Sequence, residues 1–141
     1  MKTDQLHDLW TSPDNSRLTT KQFSFRLPVH IAAKVAALCE IYPQKNRTQI
    51  VADLLTSAID ELEKNLPEGI GEAVEEAWQD EMTAQLGETE RLYYLGGVRG
   101  RFHHSANIHY SELERELGNE TPEELYPNIV GTEDQFKKPI K

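Results

Sequence analysis

The stretch Lys21-Gln22-Phe23-Ser24-Phe25-Arg26-Leu27-Pro28 decides how this chain is read. Phe23, Phe25 and Leu27 alternate with Gln22, Ser24 and Arg26. A period of two places these sets on opposite faces of a β-strand, so the apolar set enters a core while the polar set faces out. Gln and Arg form paired hydrogen bonds to the edges of adenine and guanine, and Ser is a shorter donor and acceptor. The stretch therefore predicts a strand that reads DNA. The plainer alternative is an amphipathic edge strand with a polar outer face.

Two helices are predicted beyond it. Pro28 suits a first helical turn, and Ile31, Val35, Leu38 and Tyr42 recur at helical spacing beside Ala32 and Cys39. This predicts a helix over residues 28–41, stopped by Pro43, which disfavours a helical Tyr42. Asn46 then opens a second helix: its side chain and that of Gln49 match a capping box, each accepting from the other's backbone amide. Ile50, Val51, Leu54, Leu55, Ala58, Ile59, Leu62 and Leu66 give that helix an apolar surface wider than one small partner covers. A strand and two helices in about 45 residues also fall below the size at which domains usually fold alone. Both facts predict a homodimer, with Phe23, Phe25, Leu27, Val51, Leu54, Leu55, Ala58 and Leu62 in the shared core.

Strand, helix, short turn and helix, at these lengths, resemble the ribbon-helix-helix superfamily of repressors, the Arc/MetJ type, over residues 20–66. Gln22-Phe23-Ser24-Phe25-Arg26-Leu27-Pro28 looks like the Arc ribbon, whose pattern is Gln, apolar, Asn, apolar, Arg, apolar, Pro. Ser24 departs from it where an amide is usual. The resemblance implies a mainly α fold, a ribbon-helix-helix dimer in which one strand per chain pairs into an intersubunit antiparallel β-ribbon. It implies base contacts from Gln22, Ser24 and Arg26. It also implies phosphate anchoring by Asn46, Arg47 and Thr48 at the start of the second helix, where amides and helix dipole favour an anion, with Lys21 and Lys45 neutralising phosphates. Double-stranded DNA is the implied partner, bound by one dimer or by two on adjacent half-sites.

The net charge of −9 over 141 residues speaks against a nucleic-acid partner, but its distribution does not. Residues 20–47 hold five basic residues and one acidic, a balance of +4; residues 67–141 hold 16 acidic and seven basic, a balance of −9. A local basic patch can bind DNA on an acidic protein. Cys39 is the single cysteine, which rules out an intrachain disulfide and reads as a small apolar helix residue. No apolar run approaches a membrane span and no secretory signal opens the chain, so no membrane partner is expected and the cytoplasm is the expected location.

Residues 1–19 read as a flexible arm, although Leu6, Leu9 and Trp10 fit one apolar helical turn that docks on the protein or a partner. Residues 67–141 read as an acidic, mostly helical extension. Ile70, Val74, Trp78 and Met82 fall four apart and predict helix across 67–95. Gly97-Val98-Arg99-Gly100 is a short Gly-x-x-Gly loop match of little specificity. His103, His104 and His109 read as loop residues rather than a metal set, and no cofactor is expected. Capping boxes at Ser111 and Thr121 predict two short helices, and the chain beyond Pro127 reads as frayed. No nucleophile, base and oxyanion donor fall at recognisable spacing, so an enzyme is not expected. The expected function is a sequence-specific transcriptional regulator, most simply a repressor. An antitoxin with a toxin bound by the C-terminal region, or an interaction module that does not bind DNA, are the alternatives.

Overall fold

A computed structural model describes residues 2–11, 18–19, 21–87 and 90–137. The chain is mostly helical with a small three-stranded antiparallel sheet, and it divides into two compact units, residues 1–64 and 65–141.

The first unit opens with a 3-10 turn, Thr3–Gln5, that runs into helix α1, Leu6–Trp10. This segment docks on its own unit, where an arm is expected from composition. Leu6 (4% exposed) and Trp10 (3%) form a core with Ile50, flanked by Leu9, Leu38, Cys39, Tyr42 and Leu54. Three large apolar side chains in a short segment suffice, because burying each contributes about 1.5–3 kcal/mol. Residues 12–17 of the proposed arm, with their Ser-Pro-Asp-Asn-Ser run, lie outside the described residues.

Helix α2, Val29–Ile41, starts on Pro28, whose carbonyl accepts from the amides of Ile31 and Ala32, and stops at Tyr42 before Pro43. Helix α3, Arg47–Glu63, has the predicted capping box: the Gln49 amide donates to Asn46 Oδ1 at 2.8 Å, and the Asn46 amide donates to Gln49 Oε1 at 3.1 Å. Both helices thus stand close to their predicted bounds. The strand predicted over 21–28 does not form within the single chain: these residues are in neither helix nor strand. A strand exists through its ladder, and no strand pairs with this segment among the described residues.

The second unit departs furthest from expectation. Strand β1, Gly69–Ala73, helix α4, Glu76–Leu86, and strand β2, Leu92–Gly96, replace the helix predicted over 67–95. Helix α5, Gly97–Glu116, replaces the Gly-rich loop and contains Ser111, so no helix starts there. Residues 119–129, including Thr121, form no helix, and strand β3, Val130–Thr132, with helix α6, Glu133–Lys137, orders what reads as a frayed end. The sheet order is β1-β2-β3, with Ile70 opposite Leu95 and Tyr93 opposite Gly131.

Glycine explains why β1 is a strand. Pro67, Gly69 and Gly71 are poor helix formers, and a Cβ on Gly71 would sit 2.5 Å from the Tyr94 carbonyl oxygen. The two strands approach that closely only where one has no side chain. Leu92, Tyr93, Tyr94 and Leu95 are residue types that suit a half-buried strand. Gln79 fixes α4 to β2, accepting from the Leu92 amide at 2.9 Å and donating to the Glu90 carbonyl at 3.2 Å. Gly71→Ala is expected to destabilise this unit by about 1–3 kcal/mol through overpacking. Chemical denaturation checks this, and an unchanged midpoint would contradict the strand register.

Candidate nucleic-acid interface

The segment 21–28 lies in neither helix nor strand and is exposed along its whole length. Phe23 and Phe25 are 64% and 73% exposed, and their rings lie parallel, 6° apart in plane with centroids 6.3 Å apart. That separation is close to the two-residue repeat of an extended chain, about 6.6 Å, so these two rings share one side. Gln22, Ser24 and Arg26, the expected base-contacting residues, are all exposed as well. Leaving two phenylalanines in water forgoes the favourable free energy of burying them.

The helices behind the segment extend the same pattern. Of the residues expected in a dimer core, Leu27, Leu55, Ala58 and Leu62 are exposed in the single chain, while Val51 and Leu54 are half-buried. Leu54 packs against the core that holds α1. Val29 and Ile59 are exposed too. One face of the helix pair is therefore covered by α1, and much of its remaining apolar surface meets solvent.

At the start of α3 the five expected phosphate contacts divide. The capping box consumes the amides of Asn46 and Gln49, and Asn46 spends its side-chain oxygen there. Arg47 and Thr48 are exposed in the first turn, where their amides point out of the helix and have no partner among the described residues. These two are the amides suited to an anion. Lys21 is exposed, its amide donating to Thr19 Oγ1 at 3.2 Å. Lys45 is only 5% exposed in the single chain, in the turn between α2 and α3.

The turn is clamped by residues that the motif search passes over. Tyr42 ends α2, and its hydroxyl meets His7 Nδ1 at 2.7 Å. The Trp10 ring packs edge-on against Tyr42 with centroids 5.1 Å apart, and Trp10 Nε1 donates to Asp53 Oδ2 at 2.7 Å. The signal for this contact was the spacing of Leu6, Leu9 and Trp10, which indicates a docked turn without indicating where it docks.

The second unit has a cleft of about 890 Å³ lined by one face of α5, by residues 122–129 and by parts of β1 and β2. Asn107 ties the loop to α5, donating to the Tyr126 carbonyl at 3.0 Å and accepting from the Tyr126 amide at 2.8 Å. His103 stacks on Tyr126 with centroids 4.1 Å apart and planes 3° apart. Burial, with the charge of Arg99 as a smaller cause, holds the His103 imidazole below its usual pKa. On the same unit the Tyr94 hydroxyl donates to Glu75 at 2.6 Å, which holds the Glu75 carboxyl below the usual range and the Tyr94 phenol above it. His103 and His104 thus belong to a helix wall rather than a loop. Among the described residues no group of three or more His, Cys, Asp and Glu is placed to hold a metal ion, and none of the helices is long and apolar enough to cross a membrane.

His103 carries a pH prediction. Its folded pKa lies below the unfolded value of about 6.5, so the unfolded chain binds more protons in the window between the two. Its contribution to stability is present above about pH 6.5 and declines as pH falls from there towards the folded pKa. Denaturant midpoints of wild type and His103→Gln are expected to converge on acidification from pH 7.5 to 5.5. A difference that stays constant across that range would contradict the burial of a neutral imidazole.

No protein-family model matches the chain, and neither the curated proteins nor the solved structures contain a match to it.

Proposed function

We propose that this protein is a sequence-specific DNA-binding regulator, most simply a repressor, which acts as a homodimer. The observation that carries this proposal is the exposed segment 21–28, whose parallel Phe23 and Phe25 rings are 64% and 73% exposed and whose Gln22, Ser24 and Arg26 are exposed as well. A second copy of the same segment, paired antiparallel, supplies the missing ladder and places two sets of apolar side chains over the two helix pairs. The opposite face of that ribbon presents six polar side chains to the major groove, wide enough to admit two strands. The amides of Arg47 and Thr48 hold a phosphate on each side and set the register, and the ribbon reads bases within it.

The local charge fits this division of labour, because residues 67–141 balance −9 while residues 20–47, which hold the segment, α2 and the start of α3, balance +4. Binding is tested by fluorescence anisotropy on genomic duplexes across a salt series. A log-log slope near −0.9 per neutralised phosphate is expected. A complex insensitive to salt, or no binding at low salt, would contradict the proposal.

A further inference from the structure

We infer that helix α1 is a positioning element of the DNA-binding surface: Leu6 and Trp10 brace the turn between α2 and α3 and thereby set where the first turn of α3 meets a phosphate. The inference rests on the DNA-binding proposal and assigns a role to residues outside the segment that resembles the ribbon-helix-helix superfamily.

The brace touches both flanks of the turn. On the α2 side, His7 and Trp10 both meet Tyr42, the residue that ends the helix. Tyr42 also starts the turn, its carbonyl accepting from the Lys45 amide at 3.2 Å. On the α3 side, Leu6 and Trp10 pack on Ile50, which is fully buried, and Trp10 donates to Asp53. Ile50 directly follows Gln49, whose amide and side chain close the capping box. The contacts at Ile50, Asp53 and Leu54 fall on one face of α3 within its first two turns, the spacing of three and four that helical neighbours require. The outward amides of Arg47 and Thr48 stand one turn before them.

The geometry matters because amide-to-phosphate contacts are directional and weaken steeply with misalignment. A turn of five residues between two helices gives little rigidity by itself. Removing the brace leaves α3 intact, since its cap is local, but loosens its direction relative to α2. The cost then falls on phosphate contacts and spares base readout from the ribbon.

The test compares full-length wild type, Leu6→Ala/Trp10→Ala and the milder Trp10→Phe on the duplex bound best by wild type and on a scrambled one, across a salt series. Loss of one phosphate contact per subunit, made by the amides of Arg47 and Thr48 together with the exposed Arg47 charge, is expected to reduce the magnitude of the salt slope by about 1.8 per dimer and to weaken binding roughly 10- to 100-fold. Preference for the specific duplex over the scrambled one should stay within about threefold of wild type, because phosphate contacts carry no sequence information directly. Trp10→Phe, which keeps the ring and loses the Asp53 bond, should fall between the two. Simple destabilisation would lower the active fraction without changing the slope. Circular dichroism at the assay temperature identifies any variant that has failed to fold, and Trp10→Phe then decides alone. An unchanged slope in the folded variant, or lost duplex preference, overturns the inference. If wild type binds no duplex at low salt, the DNA-binding proposal fails first and the brace has no phosphate to position.

Discussion

Replacing Gln22 and Arg26 together by alanine is expected to weaken binding to the preferred duplex by about 100-fold or more, since each paired base contact discriminates by about 1–3 kcal/mol and a dimer carries two copies. Binding to unrelated DNA should fall only by the share owed to the Arg26 charge, about tenfold at most for two phosphate-range charges per dimer. The two effects separate readout from attraction. Both side chains are exposed in a segment outside helix and strand, and neither supports the core, so the variant should retain wild-type thermal stability. Competition binding against a scrambled duplex measures the ratio. A ratio unchanged from wild type would remove these residues from base readout.

The second large effect concerns assembly. Phe23→Ser with Phe25→Ser is expected to convert the proposed homodimer to a monomer at micromolar concentration. These rings are 64% and 73% exposed in the single chain, so most of their surface remains to be buried. Four rings per dimer at about 1.5–3 kcal/mol for each fully buried side chain give roughly 4–8 kcal/mol once the part already covered is discounted. That corresponds to a dissociation constant raised about a thousandfold or more. Sedimentation equilibrium reads it directly. Wild type that sediments as a monomer, or a variant that remains a dimer, would leave the exposed phenylalanines without the proposed cover.

Local signals translated well where they were dense. Pro28, Pro43 and the Asn46-Gln49 box bound two helices in sequence, and the structure puts them at Val29–Ile41 and Arg47–Glu63. The alternation of Phe23 and Phe25 also has its physical counterpart in the parallel rings. A strand's existence, by contrast, depends on a partner that the single chain lacks, and no local pattern supplies it. The second unit departs from its sequence pattern for a different reason. Apolar residues at 70, 74, 78 and 82 fit a helix, yet Ile70 lies in β1, Val74 in the connection, and only Trp78 and Met82 in α4. Spacing by four cannot reveal a chain that changes conformation midway. The glycines at 69 and 71 were the contrary signal, because their value lies in letting backbone meet backbone at Tyr94 and Gly97.

The proposed phosphate anchor shows the same contrast between local and distant causes. The cap at Asn46 was legible, and its capping box engages the amides of Asn46 and Gln49. Lys45 looked like one more surface charge, and only the folded turn encloses it. Trp10 and Asp53 stand 43 residues apart in sequence, so their 2.7 Å bond could not be read from either segment.

Selection of bound duplexes from a random pool, run in parallel with wild type and Gln22→Ala/Arg26→Ala, tests DNA reading by the 21–28 segment most directly. Wild type should enrich a two-fold symmetric sequence whose half-sites contain adenine and guanine positions suited to Gln and Arg, and the variant should lose enrichment at those positions. Enrichment of the same sequence by both proteins, or of none by wild type at low salt, would contradict it.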